Sequence, residues 1–149
     1  LFDMASKTDD IGIIIKPKRI SDLKKLNSLY DKALDLEKKG ICYIVKDPFQ
    51  KMPALYASIA NLVIGTSCTY PSGLIESIAR KKLGVYCDFA NLKSIEKDWY
   101  SWGENKVIFN DVVKLSKKIL EFKNDQIKHK YFGEHYEKSF NSDWWLGRA

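Results

Sequence analysis

The chain of 149 residues is poor in the side chains that most often carry out chemistry. Its two histidines, His129 and His135, both lie in a polar C-terminal stretch, and no Ser/His/Asp array or carboxylate pair can be drawn from its spacings. Three cysteines, Cys42, Cys68 and Cys87, are odd in number and show no CxxC or mixed His/Cys spacing, which argues against zinc. Reduced, buried thiols in a cytoplasmic setting are the expectation. No apolar run approaches the roughly 18 residues needed to cross a bilayer, and no signal peptide opens the sequence. No cofactor or metal is expected.

What is present is enough apolar material for one domain. Hydrophobic residues make up 45% of the chain, which suffices for a core, and the 30% that are charged argue against a membrane-embedded chain. The formal charge of +6 suits a phosphate-bearing ligand, an anionic membrane surface or nucleic acid. Many lysines, such as Lys24-Lys25 and Lys117-Lys118, fall on predicted helix faces, where solvation is the plain explanation.

The chain is organised around residues 61–88, NLVIGTSCTYPSGLIESIARKKLGVYCD. Leu62-Val63-Ile64 reads as a strand buried on both faces and central to the sheet. A hydroxyl-rich loop from Thr66 through Ser67 to Ser72 and Gly73 leads into a helix with Leu74, Ile75, Ile78 and Ala79 on one stripe. Arg80-Lys81-Lys82 closes that helix, and Val85-Tyr86-Cys87 is the next strand. Backbone N–H groups at a helix start just after a parallel strand form a natural anion site, and Glu76, one turn in, can face the same crevice. This stretch therefore reads as a nucleoside-diphosphate site. Asp88, at a strand end, is more often a turn former than a ligand.

Upstream, Leu1 to Asp10 looks like the tail of a helix, from which a preceding half is expected. Ile11 to Ile15 is an apolar strand followed by Lys16, Lys18 and Arg19, cations at the strand end where open α/β sheets bind ligands. Ser21-Asp22 is expected to cap one long helix, with Leu23, Leu26, Leu29, Tyr30, Ala33 and Leu36 inward and Gly40 as its stop. Ile41 to Val45 is a strand, and Pro53 opens a short helix with Leu55, Tyr56 and Ile59 inward. Trp99, Tyr100 and Trp102 are expected to cover a sheet edge, ahead of a last strand at residues 106–109. Asn110-Asp111 caps a helix with Val112, Leu115, Ile119 and Phe122 on one side. Strand starts near 11, 41, 62, 85 and 106 predict an α/β fold with an open parallel sheet and helices on both faces.

In this order, KP after the first strand, LYASIANLVIG, GLIES and GVYCD resemble the C-terminal, nucleotide-sugar-binding half of a GT-B glycosyltransferase. More narrowly, the chain is similar to bacterial surface-polysaccharide biosynthesis transferases over about residues 11–123. The resemblance implies a Rossmann-like domain over residues 1–123, lacking its first strand, and a helical tail over 124–149. It implies a nucleotide-sugar donor as substrate, no bound metal, and an N-terminal acceptor-binding domain or partner chain that supplies the general base. Trp144-Trp145 would dock on that partner, and the chain alone would not transfer sugar. Placed by position, Glu76 holds the donor's ribose or sugar, Ser72 and Gly73 meet the diphosphate, and Lys16 with Arg19 lies opposite. The longer acidic motif of retaining members is absent, since its earlier position is Thr69, and Lys18 stands where relatives often carry His. Two other classes stay open: a non-catalytic nucleotide-binding or regulatory α/β module, and a protein that binds anionic surfaces through its +6 charge. The expected location of the transferase is the cytoplasm, with an anionic membrane surface at the inner face of the membrane as a further partner. Nucleic acid is not an expected partner.

Overall fold

The computed structural model describes residues 1–47, 53–66, 72–80, 82–88, 104–105 and 107–124. Ser67, Cys68, the aromatic run Trp99–Trp102 and the tail with His129, His135, Trp144 and Trp145 lie outside the described residues. The chain is mixed α/β with parallel strand pairing, and it divides into two compact units, Leu1–Tyr56 and Ala57–Ala149.

In the first unit, the one-turn helix α1 (Phe2–Ala5) precedes β1 (Ile13–Ile15), α2 (Ile20–Lys24), α3 (Ser28–Lys38) and β2 (Cys42–Ile44). β1 and β2 pair in parallel, Ile13 opposite Cys42 and Ile15 opposite Ile44. Side chains alternate across such a ribbon. Cys42 and Ile44 therefore join Ala33 and Leu36 of α3 in a core that also gathers Ile13, Ile15 and Phe2. Ile14 and Tyr43, opposite each other on the second face, are exposed. The Lys32–Asp3 ion pair links α3 to α1, and the Lys32 ammonium holds the Asp3 carboxyl below its usual range.

One long helix was the expectation for residues 21–39, and the structure breaks it in two. The last N–H groups of the first segment tighten to three-residue spacing (Leu26 to the Leu23 carbonyl, 3.1 Å; Asn27 to the Lys24 carbonyl, 3.2 Å). Asn27 then takes φ 42°, outside the helical region, before the ladder restarts with the Asp31 N–H on the Asn27 carbonyl at 3.0 Å. Asn tolerates positive φ better than other side chains do. The start also differs: Arg19, in extended conformation, is the N-cap residue, while Ser21 and Asp22 lie inside α2. With the axis broken, Leu26 and Leu29 are exposed rather than inward. The stop at Gly40 is as expected. Gly40 adopts φ +73°, its N–H reaches the Glu37 carbonyl at 3.0 Å, and the Ile41 N–H reaches the Leu36 carbonyl at 2.9 Å, a Schellman closure.

Helix α4 (Pro53–Ile59) spans the boundary between the two units in the sequence. Pro53, Ala57 and Ala60 form its covered stripe, so Leu55 and Ile59, expected inward, are exposed, while Tyr56 is half-buried. In the second unit, β3 (Val63–Thr66), α5 (Ser72–Ala79), β4 (Gly84–Cys87), β5 (Ile108–Phe109) and α6 (Val112–Asn124) follow in order. The sheet runs β3-β4-β5, all parallel, with Val63 opposite Gly84 and Tyr86 opposite Ile108. β4, not β3, is therefore the central strand of this sheet. All four of its residues are buried, whereas Leu62, Val63 and Ile64 are only partly so. Leu74 of α5 and Leu115 and Phe122 of α6 close the core over Val85, Tyr86, Ile108 and Phe109. The Asp111 carboxylate accepts the Val113 N–H at 2.7 Å, the cap expected for α6. Val112, expected on the packed side, is exposed in the first turn.

Candidate functional site

The second unit supplies a strand–loop–helix arrangement. Thr66 ends β3 and is exposed, Ser72 opens α5, and residues 67–71 join them. Helix α5 lies against β3 and β4, seated through Leu74 and the fully buried Ser77. Ser77 donates its hydroxyl to the Gly73 carbonyl at 2.5 Å, so a polar side chain is carried into the core with its hydrogen bond made inside the helix. Gly73, which has no side chain, and the small Ser77 thus share one face of the helix start.

Glu76 lies between them in sequence and is half-buried. Its Oε2 is shielded from solvent and has no hydrogen-bonding partner among the described residues. A buried carboxylate oxygen without a donor is costly, on the order of 1–3 kcal/mol or more for a charged group, and such atoms are rare in folded proteins.

Asp88, expected as a turn former, adds a second carboxylate. It is 1% exposed at the C-terminal end of β4, with its N–H on the Phe109 carbonyl at 2.7 Å. Because Thr66 pairs with Cys87, Asp88 follows directly beside the point where β3 ends. A single aspartate after GVYC gives no local sign of burial, which depends on β5 pairing beyond it. Burial first, and the charge of Asp88 next, push the Cys87 thiol up, so Cys87 is a packed side chain rather than a nucleophile.

Of the residues predicted for the site, Thr66, Ser72, Gly73 and Glu76 come together in one strand–helix unit of Ala57–Ala149, and Ser67 falls outside the described residues. Lys16 and Arg19 belong to the other unit, Leu1–Tyr56, just after β1. Lys16 is half-buried and Arg19 exposed. Among the described residues no group of three or more His, Cys, Asp or Glu side chains is placed to hold a metal ion. No helix among them is long and apolar enough to cross a membrane.

The first unit has a feature that the sequence did not suggest. A pocket of about 270 Å³ at the C-terminal end of β2 is lined by Glu37, Tyr43, Lys46, Asp47 and Tyr56 among others. The Tyr43 and Tyr56 rings lie 6.3 Å apart at 32°. The Glu37 carboxylate accepts the Ile44 N–H at 3.0 Å and pairs with the Lys46 ammonium at 3.1 Å. The Ile44 N–H first, and Lys46 with it, hold the Glu37 carboxyl below its usual range. Both oxygens are therefore engaged in structure.

Comparison of the chain with protein-family models, with curated proteins and with solved structures gives no match.

Proposed function

We propose that the chain is the donor-binding half of a glycosyltransferase that uses a nucleoside-diphosphate sugar, in cell-surface polysaccharide or glycan synthesis. The observation that supports this best is Glu76, whose buried Oε2 has no partner among the described residues. A ribose or sugar hydroxyl is a neutral donor of the right kind to satisfy it, and the vicinal hydroxyls of such a ring offer two. The helix start at Ser72 and Gly73, after a parallel strand, favours the diphosphate through its N–H groups and dipole. In the reaction, these groups stabilise the leaving nucleoside diphosphate as negative charge builds on it, and the base that deprotonates the acceptor comes from the acceptor-binding half.

The test is a titration of isotopically labelled protein with UDP, GDP, CDP and ADP, followed by NMR. Shifts confined to residues after β3 and along the start of α5 are expected for one of the four. No response to any of them removes the reading.

A further inference from the structure

We infer that the pocket at the C-terminal end of β2 binds a neutral sugar ring, an inference that does not rest on the sugar-transfer reading. Its described lining lies within one unit, Leu1–Tyr56, and includes the tilted Tyr43 and Tyr56 rings. Tyr43 is 52% exposed, so the pair keeps aromatic surface open to a ligand. Ile44 and Val45, both buried, complete the apolar part of the lining.

The charge of this lining selects the ligand. Glu37 and Asp47 set two acidic side chains against the single ammonium of Lys46. That ammonium lies 3.1 Å from the Glu37 carboxylate, whose pKa is held below its ordinary range. A phosphate brought here would meet a net negative lining whose one cation is already paired. A pure hydrocarbon would take water from Lys46 and Asp47 and offer them no hydrogen bond in return. A pyranose meets both demands. One face of the ring presents C–H groups, which lie well on the electron-rich face of a tyrosine. Its rim of hydroxyls both donates and accepts, and so suits the polar groups of Lys46, Asp47 and the tyrosines. The volume of about 270 Å³ suits one such ring. It falls below the roughly 300–1,000 Å³ of pockets that hold drug-sized ligands.

The experiment is titration of the isotopically labelled 149-residue chain with methyl glucoside, methyl galactoside and N-acetylglucosamine in turn, followed by NMR. Each sugar is taken to about 100 mM, since a single ring contact gives only millimolar binding. Saturable shifts at Tyr43, Lys46 and Tyr56 are expected for at least one of them. Tyr43→Ala should weaken that binding roughly five-fold, and Tyr43→Phe should retain it, because the ring face and not the hydroxyl makes the contact. Tyr43 is exposed, so both variants keep the fold, which circular dichroism checks. No saturable shift at these residues with any of the sugars would overturn the inference. So would equal binding by Tyr43→Ala, or tighter binding of UDP than of the sugars at Tyr43 and Tyr56.

Discussion

The Glu37 carboxylate, in the last turn of α3, accepts the Ile44 N–H of β2 at 3.0 Å, across seven residues of sequence. β2 pairs with β1 on one side, and the Ile44 N–H points to the other. An unpaired strand edge invites pairing with another chain, and here a side chain occupies that edge instead. The second carboxylate oxygen holds Lys46, two residues beyond the end of β2. One carboxylate thus ties the helix end, the strand edge and the strand's exit together.

Replacing Glu37 with Ala should therefore lower the thermal midpoint, and Glu37→Gln should lower it less, because an amide oxygen can still accept the Ile44 N–H. The effect has a definite pH sign. The folded state holds this carboxyl below its ordinary value of 4.5, so the stabilisation is present above that value and is lost as pH falls through the lower folded value. The difference in midpoint between the parent and Glu37→Gln should be largest near neutrality and shrink below about pH 4.5. A difference that grows on acidification contradicts the brace.

Gly40→Ala should destabilise by roughly 1 kcal/mol, because a Cβ is disfavoured at positive φ. Nothing lies within 4 Å of the added carbon, so the cost is conformational and not a clash. Urea denaturation should show a lower midpoint with an unchanged slope. An unaffected midpoint would mean that the Schellman closure contributes nothing.

Asp111→Ala should cost about 1 kcal/mol by removing the acceptor from the Val113 and Lys114 N–H groups. Hydrogen exchange localises the effect: the first turn of α6 should lose protection while β4 keeps it. Asp111→Ser should recover most of the loss.

These predictions rest on features that differ in how visible they are from sequence. The apolar runs of β1, β2 and β4, the Gly40 stop and the Asp111 cap are local signals, and the structure follows them. The break at Asn27 is not local in that sense, since leucines and lysines on both sides favour a continuous helix and one residue's φ decides the outcome. Nor can an apolar run tell that it is an edge. β3 and β4 look alike in sequence, and only the pairing of Tyr86 with Ile108 makes β4 central. Glu76 was recognisable as a residue of the α5 start, but its partnerless oxygen depends on the packing around it. The burial of Asp88 and the Glu37 brace are set by tertiary contacts and left no mark in spacing.

The thiols give a further check. Cys42 and Cys87 are both buried, and burial raises both thiols above their ordinary value of 9.0. Both should react with Ellman's reagent at pH 8 far more slowly in the native chain than in urea. Prompt labelling of either residue, mapped by peptide mass, would contradict the burial of the strand that carries it.

The proposed function turns on Glu76, and calorimetric titration of the parent and Glu76→Ala with the nucleoside diphosphate that binds best tests it most directly. A carboxylate that accepts a ligand hydroxyl is worth roughly 1.5–3 kcal/mol, or about one to two decades of affinity. Because Oε2 has no partner among the described residues, removing it should leave the thermal midpoint without ligand equal or slightly raised. The predicted result is a ten- to hundred-fold loss of affinity, about that expected for one charge-assisted hydrogen bond, with stability intact. Equal affinity in both proteins, or no binding to the parent, would contradict it.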